Sequence, residues 1–171
     1  AIFAYVGGEV SIGSFLVNYL ADPSIAGLDH ASAGQYVAIY WGGAMVGRFI
    51  GSWMLTRVAP WKVLAGNAMI AMIMLVATMV AHGNLAMWAV LSIGLFNSVM
   101  FPTIFTLAIR GLGNFTAQAS GILCAAIVGG ALVPGVQGVV TDAWGLQLGF
   151  LIPLACYLYV ASYALRMFHR K

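Results

Sequence analysis

The sequence predicts an all-α integral membrane protein of six transmembrane helices. Charged residues make up 6% of its 171 positions and hydrophobic ones 63%, and the mean hydropathy is +0.99. Soluble domains carry about 25% charged residues, so water is not the main solvent of this chain. Its apolar runs continue over about 20 residues without alternation, the length of a helix across a hydrocarbon core of about 30 Å, and this excludes a barrel of short alternating strands. The 21 glycines and nine methionines suit helices that approach one another closely in lipid.

Taken in order, the six spans are expected at about 1–20, 33–55, 63–81, 85–109, 114–140 and 147–167, forming a single transmembrane bundle over 1–171. The first stops at Ala21-Asp22-Pro23, because proline disfavours helix at the residue before it. A polar loop follows, then the second span and a tight basic turn over 56–62. His82-Gly83-Asn84 ends the third span, and Arg110-Gly111-Leu112-Gly113 ends the fourth. Asn114 is placed to cap the fifth. Thr141-Asp142-Ala143-Trp144-Gly145 separates it from the sixth. The chain begins inside an apolar run without an initiator Met, which leads us to expect that it belongs to a longer protein whose N-terminal half is absent here.

The loop charges are segregated. Arg57 and Lys62, then Arg110, then Arg166, Arg170 and Lys171 fall on one side, whereas the opposite loops hold only Asp22, Asp29, His30, His82 and Asp142. Under the positive-inside rule the basic side and the C-terminus are cytoplasmic, in the cytoplasmic (inner) membrane. The net charge of +3 is scattered between spans, which excludes a nucleic-acid partner. Cys124 and Cys156 lie in apolar runs without metal-ligand or CxxC spacing, so no metal site is expected.

Within the first span stands Glu9, the sole glutamate. It lies roughly 16 Å from the end of the run near Leu20, about half the depth of the hydrocarbon core. A carboxylate there costs at least ~2.5 kcal/mol, which marks a functional site; a protonated or hydrogen-bonded packing role is the competing reading. Tyr5 is one turn earlier on nearly the same face. In the second span Gly43, Gly47 and Gly51 recur every four residues and make a smooth face for close packing or for sliding. Arg48 beside them either snorkels to the surface or serves as a gating or substrate contact. In the fourth span Asn97 stands near mid-membrane, where its amide fits a polyol ligand or an interhelical hydrogen bond. Pro102 frees the Ser98 carbonyl and kinks that helix. The fifth span, with Gln118, Gly129, Gly130, Pro134, Gly135 and Gln137, reads as a flexible or broken helix of the kind that flanks transport sites. Gln118 lies near the cytoplasmic end and Gln137 toward the outer end. Tyr36, Tyr40 and Trp41 offer rings for stacking, although Tyr36, Trp61 and Trp144 suit interface anchoring best. Glu9 and Asn97 open the two triplets of spans, as in inverted three-helix repeats.

Together, Tyr5-Val6-Gly7-Gly8-Glu9-Val10, Gly47-Arg48-Phe49-Ile50-Gly51, the run Arg57-Val58-Ala59-Pro60-Trp61-Lys62-Val63-Leu64 and Phe101-Pro102-Thr103-Ile104-Phe105 resemble the C-terminal half of fucose/glucose/galactose:proton symporters of the major facilitator superfamily. The resemblance covers essentially the whole chain. It implies helices seven to twelve of a twelve-helix transporter, one 3+3 inverted repeat, with its partners being a monosaccharide, the lipid bilayer and the N-terminal six-helix half. It also implies ion-coupled symport by alternating access, with H⁺ or Na⁺ as coupling ion and no other cofactor, and proton-handling acids mainly in the other half. Glu9, Asn97, Tyr5, Gln118 and Gln137 are the implied substrate-binding positions; Arg48, Gly43, Gly47, Gly51, Pro102, Arg57 and Lys62 are the gating or structural ones. Ser52, Thr56 and Ala59 depart from the superfamily's cytoplasmic loop motif, which has Gly, Asp and Gly there, so no gating ion pair is carried over from it. Two other classes remain as alternatives: a channel with Glu9 in a selectivity ring, and an intramembrane hydrolase. The latter would need Ser120 activated by a histidine such as His169, although no histidine lies inside a span.

Overall fold

The computed structural model describes residues 1–168 and, among them, helices and no strands. Arg170 and Lys171 of the basic set, and His169, lie outside the described residues. The first helix, α1 (Ile2–Ala21), ends on an extended Asp22, as the proline after it requires. In α2 (His30–Leu55) the start comes three residues earlier than the apolar pattern implies, because the Asp29 carboxylate accepts the Ser32 N–H and caps the helix. Pro60 is likewise the first residue of α3 (Pro60–Val80) and not part of the turn, since a proline at that position gives up no helical hydrogen bond.

The fourth span is two segments, α4 (Gly83–Asn97) and α5 (Met100–Ile109), parted at Ser98 and Val99 just ahead of Pro102. The fifth is interrupted too: a 3-10 turn (Gly113–Phe115), α6 (Thr116–Ala125), a second 3-10 turn (Ala126–Val128) and α7 (Gly129–Trp144). Asn114 does not cap this span. It sits inside the first 3-10 turn, which the left-handed Gly113 (φ 51°) begins, and the Thr116 hydroxyl donates back to the Gly113 carbonyl. Thr141 and Asp142 continue α7, and the chain turns only at Gly145, whose φ of 94° suits a residue without Cβ. A short α8 (Leu146–Gly149) and α9 (Leu151–Phe168) complete the sixth unit.

Among the described residues, four stretches are long and apolar enough to cross a membrane by themselves: Pro60–Val80, Gly83–Ile109, Gly113–Trp144 and Leu146–Met167, with mean hydropathies of 2.2, 1.7, 1.9 and 1.8. At 20 and 26 residues α1 and α2 have the length, but glycine, serine and the polar Glu9, Gln35 and Arg48 dilute their hydropathy.

Packing follows a two-fold plan. If spans one to three exchange with spans four to six, the pair α1–α7 maps onto α4–α2, the pair α1–α9 onto α4–α3, and α3–α9 onto itself; all of these pairs are in contact. Glycines recur at the exchanged positions. A Cβ on Gly7 would run into Val133 and one on Gly129 into the Phe3 carbonyl, while in the exchanged pair Gly47 meets the Leu95 carbonyl and Gly94 the Tyr40 carbonyl. Two parallel helix pairs therefore approach backbone to backbone, as small residues permit. This is the 3+3 arrangement, observed in contacts. Between them Leu64, Ala68, Ala71 and Leu75 of α3 form a fully buried stripe, whereas Met69, Ile73, Val76 and Val80 on its far side are exposed.

Because successive spans reverse direction, the loops gather at two ends. Residues of the 59–61, 110–112 and 163–167 stretches line one shared cavity, and at the opposite end the Gly83 N–H donates to the Ser24 carbonyl. Arg57, Lys62, Arg110 and Arg166 thus share one end, and the aspartates share the other.

Candidate functional site

At the centre of the bundle, Asn97 gathers three tyrosines from three different helices. As the last residue of α4 it has a main-chain carbonyl outside the regular helical ladder. The Tyr5 hydroxyl of α1 donates to that carbonyl at 2.9 Å. Asn97 Nδ2 donates to the Tyr40 hydroxyl of α2 at 2.9 Å, and the Tyr157 hydroxyl of α9 donates to Asn97 Oδ1 at 2.7 Å. All four side chains are buried. Each amide function has a partner, so the hub is a satisfied polar network in an apolar bundle, the condition under which such a network stabilises a unique arrangement.

Glu9 sits one turn beyond Tyr5 at the edge of this hub and is half-buried. Its carboxylate is close to the Tyr5 hydroxyl and within electrostatic range of Arg48 on α2, of Tyr40 and of Tyr157. On one side the ring of Trp41 lies over α1 at Gly13, 3.6 Å from where a Cβ would stand. Trp41 also meets Tyr40 edge-on at 5.3 Å and is 48% exposed. On the other side Phe101 of α5 packs against Tyr5 at 6.4 Å and stacks on Phe105 at 6.2 Å. The break before α5 is what swings Phe101 toward α1. The result is a carboxylate and a guanidinium with an exposed indole and phenyl rings, backed by buried hydroxyls. Such a surface can hydrogen-bond a polyol at its edges and stack against its C–H face.

Glu9, Tyr5 and Asn97 are thus brought together, with Arg48 within electrostatic range of Glu9. The two glutamines are not. Gln118 is exposed near the start of α6, eleven residues before Gly129, or roughly 16 Å along the axis from the level of Phe3. Gln137 is fully buried behind α1: Gly7 rests on Val133, so one turn on Ser11 comes level with Gln137, and Ser11 points about 200° away from Glu9. Neither amide atom of Gln137, nor Ser11 Oγ or Thr141 Oγ1, has a hydrogen-bond partner among the described residues. Gly43, Gly47 and Gly51 lie against Leu95 of α4 and against Ser98 and Val99 at the break after it. Arg57 stacks over Trp53 at 5.2 Å and Lys62 over Trp61 at 5.5 Å, both at the basic end. Ser120 donates its hydroxyl to the Thr116 carbonyl of its own helix.

Tyr157 is the member of this hub that sequence reasoning missed. Its signal was a phenol near the middle of an apolar span, too deep for interface anchoring, within Cys156-Tyr157-Leu158-Tyr159. The partner that makes it matter is 60 residues away.

No family model matches the chain. Among curated proteins it is 59% identical over 164 residues to a glucose/galactose transporter of Brucella abortus, covering 96% of this chain and 40% of that protein. It is 47% identical over 175 residues to a putative glucose/galactose transporter of Helicobacter pylori (99% and 42%), and 35% identical over 165 residues to the L-fucose-proton symporter of Escherichia coli (96% and 37%). A crystal structure of a Major Facilitator Superfamily transporter, FucP, in the outward conformation superposes with a TM-score of 0.93 at 35% identity, covering 97% of this chain and 40% of that one. The chain therefore spans about 40% of the length of the relatives it matches.

Proposed function

Because the chain belongs to the major facilitator superfamily and has the fold of one six-helix half, we propose that it supplies the C-terminal half of a proton-coupled monosaccharide symporter. The single observation that carries this reading is the open face around Glu9, where one carboxylate, Arg48 and Trp41 stand on a floor of tyrosines held by Asn97. Sugar hydroxyls donate to Glu9, and the sugar's apolar face stacks on Trp41. Tyr5 and Asn97 hold the carboxylate's surroundings in place, and Arg48 accompanies it from α2. Gln118 and Gln137 enter as secondary positions: Gln118 along the cytoplasmic exit path, Gln137 as support behind α1. The other six helices close over this face, and rocking of the two halves exposes it to each side in turn. The basic end faces the cytoplasm. Proton coupling is favoured over sodium by the name of the E. coli relative. The relatives are transporters, so the chain is not an enzyme, and neither the channel nor the hydrolase gains support.

The test is uptake by the full-length protein in proteoliposomes under an imposed proton gradient. Glucose, galactose and fucose are offered in turn, and Glu9→Gln is compared with the unaltered protein. Saturable, gradient-driven uptake that falls at least tenfold in Glu9→Gln, with normal membrane insertion, is the expected outcome. Unaltered affinity and rate in that variant would remove Glu9 from the site, and ohmic conductance would overturn the transporter itself.

A further inference from the structure

At the basic end, far from Glu9, a cavity of about 850 Å³ opens between the start of α3, the end of α5 and the end of α9. Its walls include Trp61, Leu107, Leu112, Tyr163 and Met167, with Arg110 among them. Arg110 follows Asn97 by thirteen residues, which places the cavity roughly 20 Å along the span from the hub. We propose that this cavity is a binding site for an anionic phospholipid, the headgroup phosphate resting on Arg110 and the glycerol and upper acyl chain lying along the apolar walls.

Three observations support it. First, the charge is unbalanced. Lys62 stacks over the Trp61 ring that lines the cavity, and Arg166 follows Tyr163 by three residues on α9, one turn along the same side. Of the four acidic side chains in this sequence, Glu9 is in the middle of its span and Asp22, Asp29 and Asp142 are at the other end, so among the described residues no acidic side chain stands at this end. Second, among the lining residues Arg110 is charged whereas the remaining walls are aliphatic and aromatic, which fits a ligand that is charged at one end and apolar at the other. Third, the site is at the depth where such a ligand is found: Trp and Tyr mark headgroup level, and basic pockets between transmembrane helices recognise anionic headgroups. The proposal depends on the membrane fold and not on which sugar is carried.

The experiment uses the full-length transporter, delipidated in detergent and titrated separately with phosphatidylglycerol, phosphatidylcholine and inorganic phosphate, with bound lipid counted by native mass spectrometry. Phosphatidylglycerol is expected to be retained in preference to phosphatidylcholine. Arg110→Gln should weaken that retention about fivefold, the effect of one cation beside an anionic headgroup. Arg110→Lys should restore most of it, and Arg57→Gln, which removes a cation stacked on Trp53 outside the cavity, should leave it unchanged. Equal retention of the two lipids, indifference to Arg110→Gln, or full competition by inorganic phosphate alone would each overturn the assignment. So would failure of the full-length protein to retain any lipid, since the cavity would then be covered by the other half.

Discussion

Asn97 bears three hydrogen bonds from one buried side chain and its carbonyl, so its replacement orphans more than one partner. Tyr157→Phe leaves only Asn97 Oδ1 without its donor and should lower stability by about 1–3 kcal/mol. Asn97→Leu strands the Tyr40 and Tyr157 hydroxyls together and should lower it further; thermal unfolding of the full-length protein in detergent ranks the two, and an equal effect would mean that the hub is not a unit. Outside the membrane, Asp22 accepts from both the backbone N–H and the hydroxyl of Ser24, at 2.8 and 2.7 Å, and these bonds hold its carboxyl below the usual carboxylate range. The sign follows directly. A depressed folded pKa contributes stability that is present above the unfolded value, about 3.9, and is lost as pH falls through the lower folded one. Protection of the amides at 24–28, taken relative to their intrinsic exchange at each pH, should therefore fall on acidification through that range, and Ser24→Ala should raise the pH at which the fall begins.

At the scale of elements, glycine sets how closely the helices approach. Gly47 and Gly129 lie on backbone carbonyls of the neighbouring helix, so an alanine methyl has nowhere to go and the helices must part. Gly47→Ala and Gly129→Ala should each cost about 1–3 kcal/mol through overpacking. Gly34 and Gly66 face open space, and alanine there should be neutral or stabilising by up to about 1 kcal/mol. Melting temperatures of the four variants distinguish contact glycines from incidental ones. Periodicity alone located the stripe of Gly43, Gly47 and Gly51, because a spacing of four puts residues on one helix face. It could not say which helix receives it. The break between α4 and α5 was half legible: Pro102 announced a kink, but the helix parts at Ser98 and Val99, where the Ser98 carbonyl that proline cannot serve is released.

For the molecule as a whole, the distribution of charge predicts its placement in the membrane. In a background lacking Cys124 and Cys156, Thr56→Cys should react with an impermeant thiol reagent only from the cytoplasmic side and Asn84→Cys only from outside. The reverse pattern would invert the orientation drawn from Arg57, Lys62, Arg110 and Arg166. Solvent class, helix count and the segregation of charge were all determined by the sequence, because each depends on hydropathy and charge along the chain. Only the tertiary structure decided that Asn97 ties Tyr5, Tyr40 and Tyr157 together, that Arg48 comes within electrostatic range of Glu9, and that Gln137 lies behind α1 while Gln118 lies far below. Those relations are set by which helices pack and in what register. In a chain where nearly every face is apolar, hydropathy cannot distinguish a face turned to lipid from one turned to another helix.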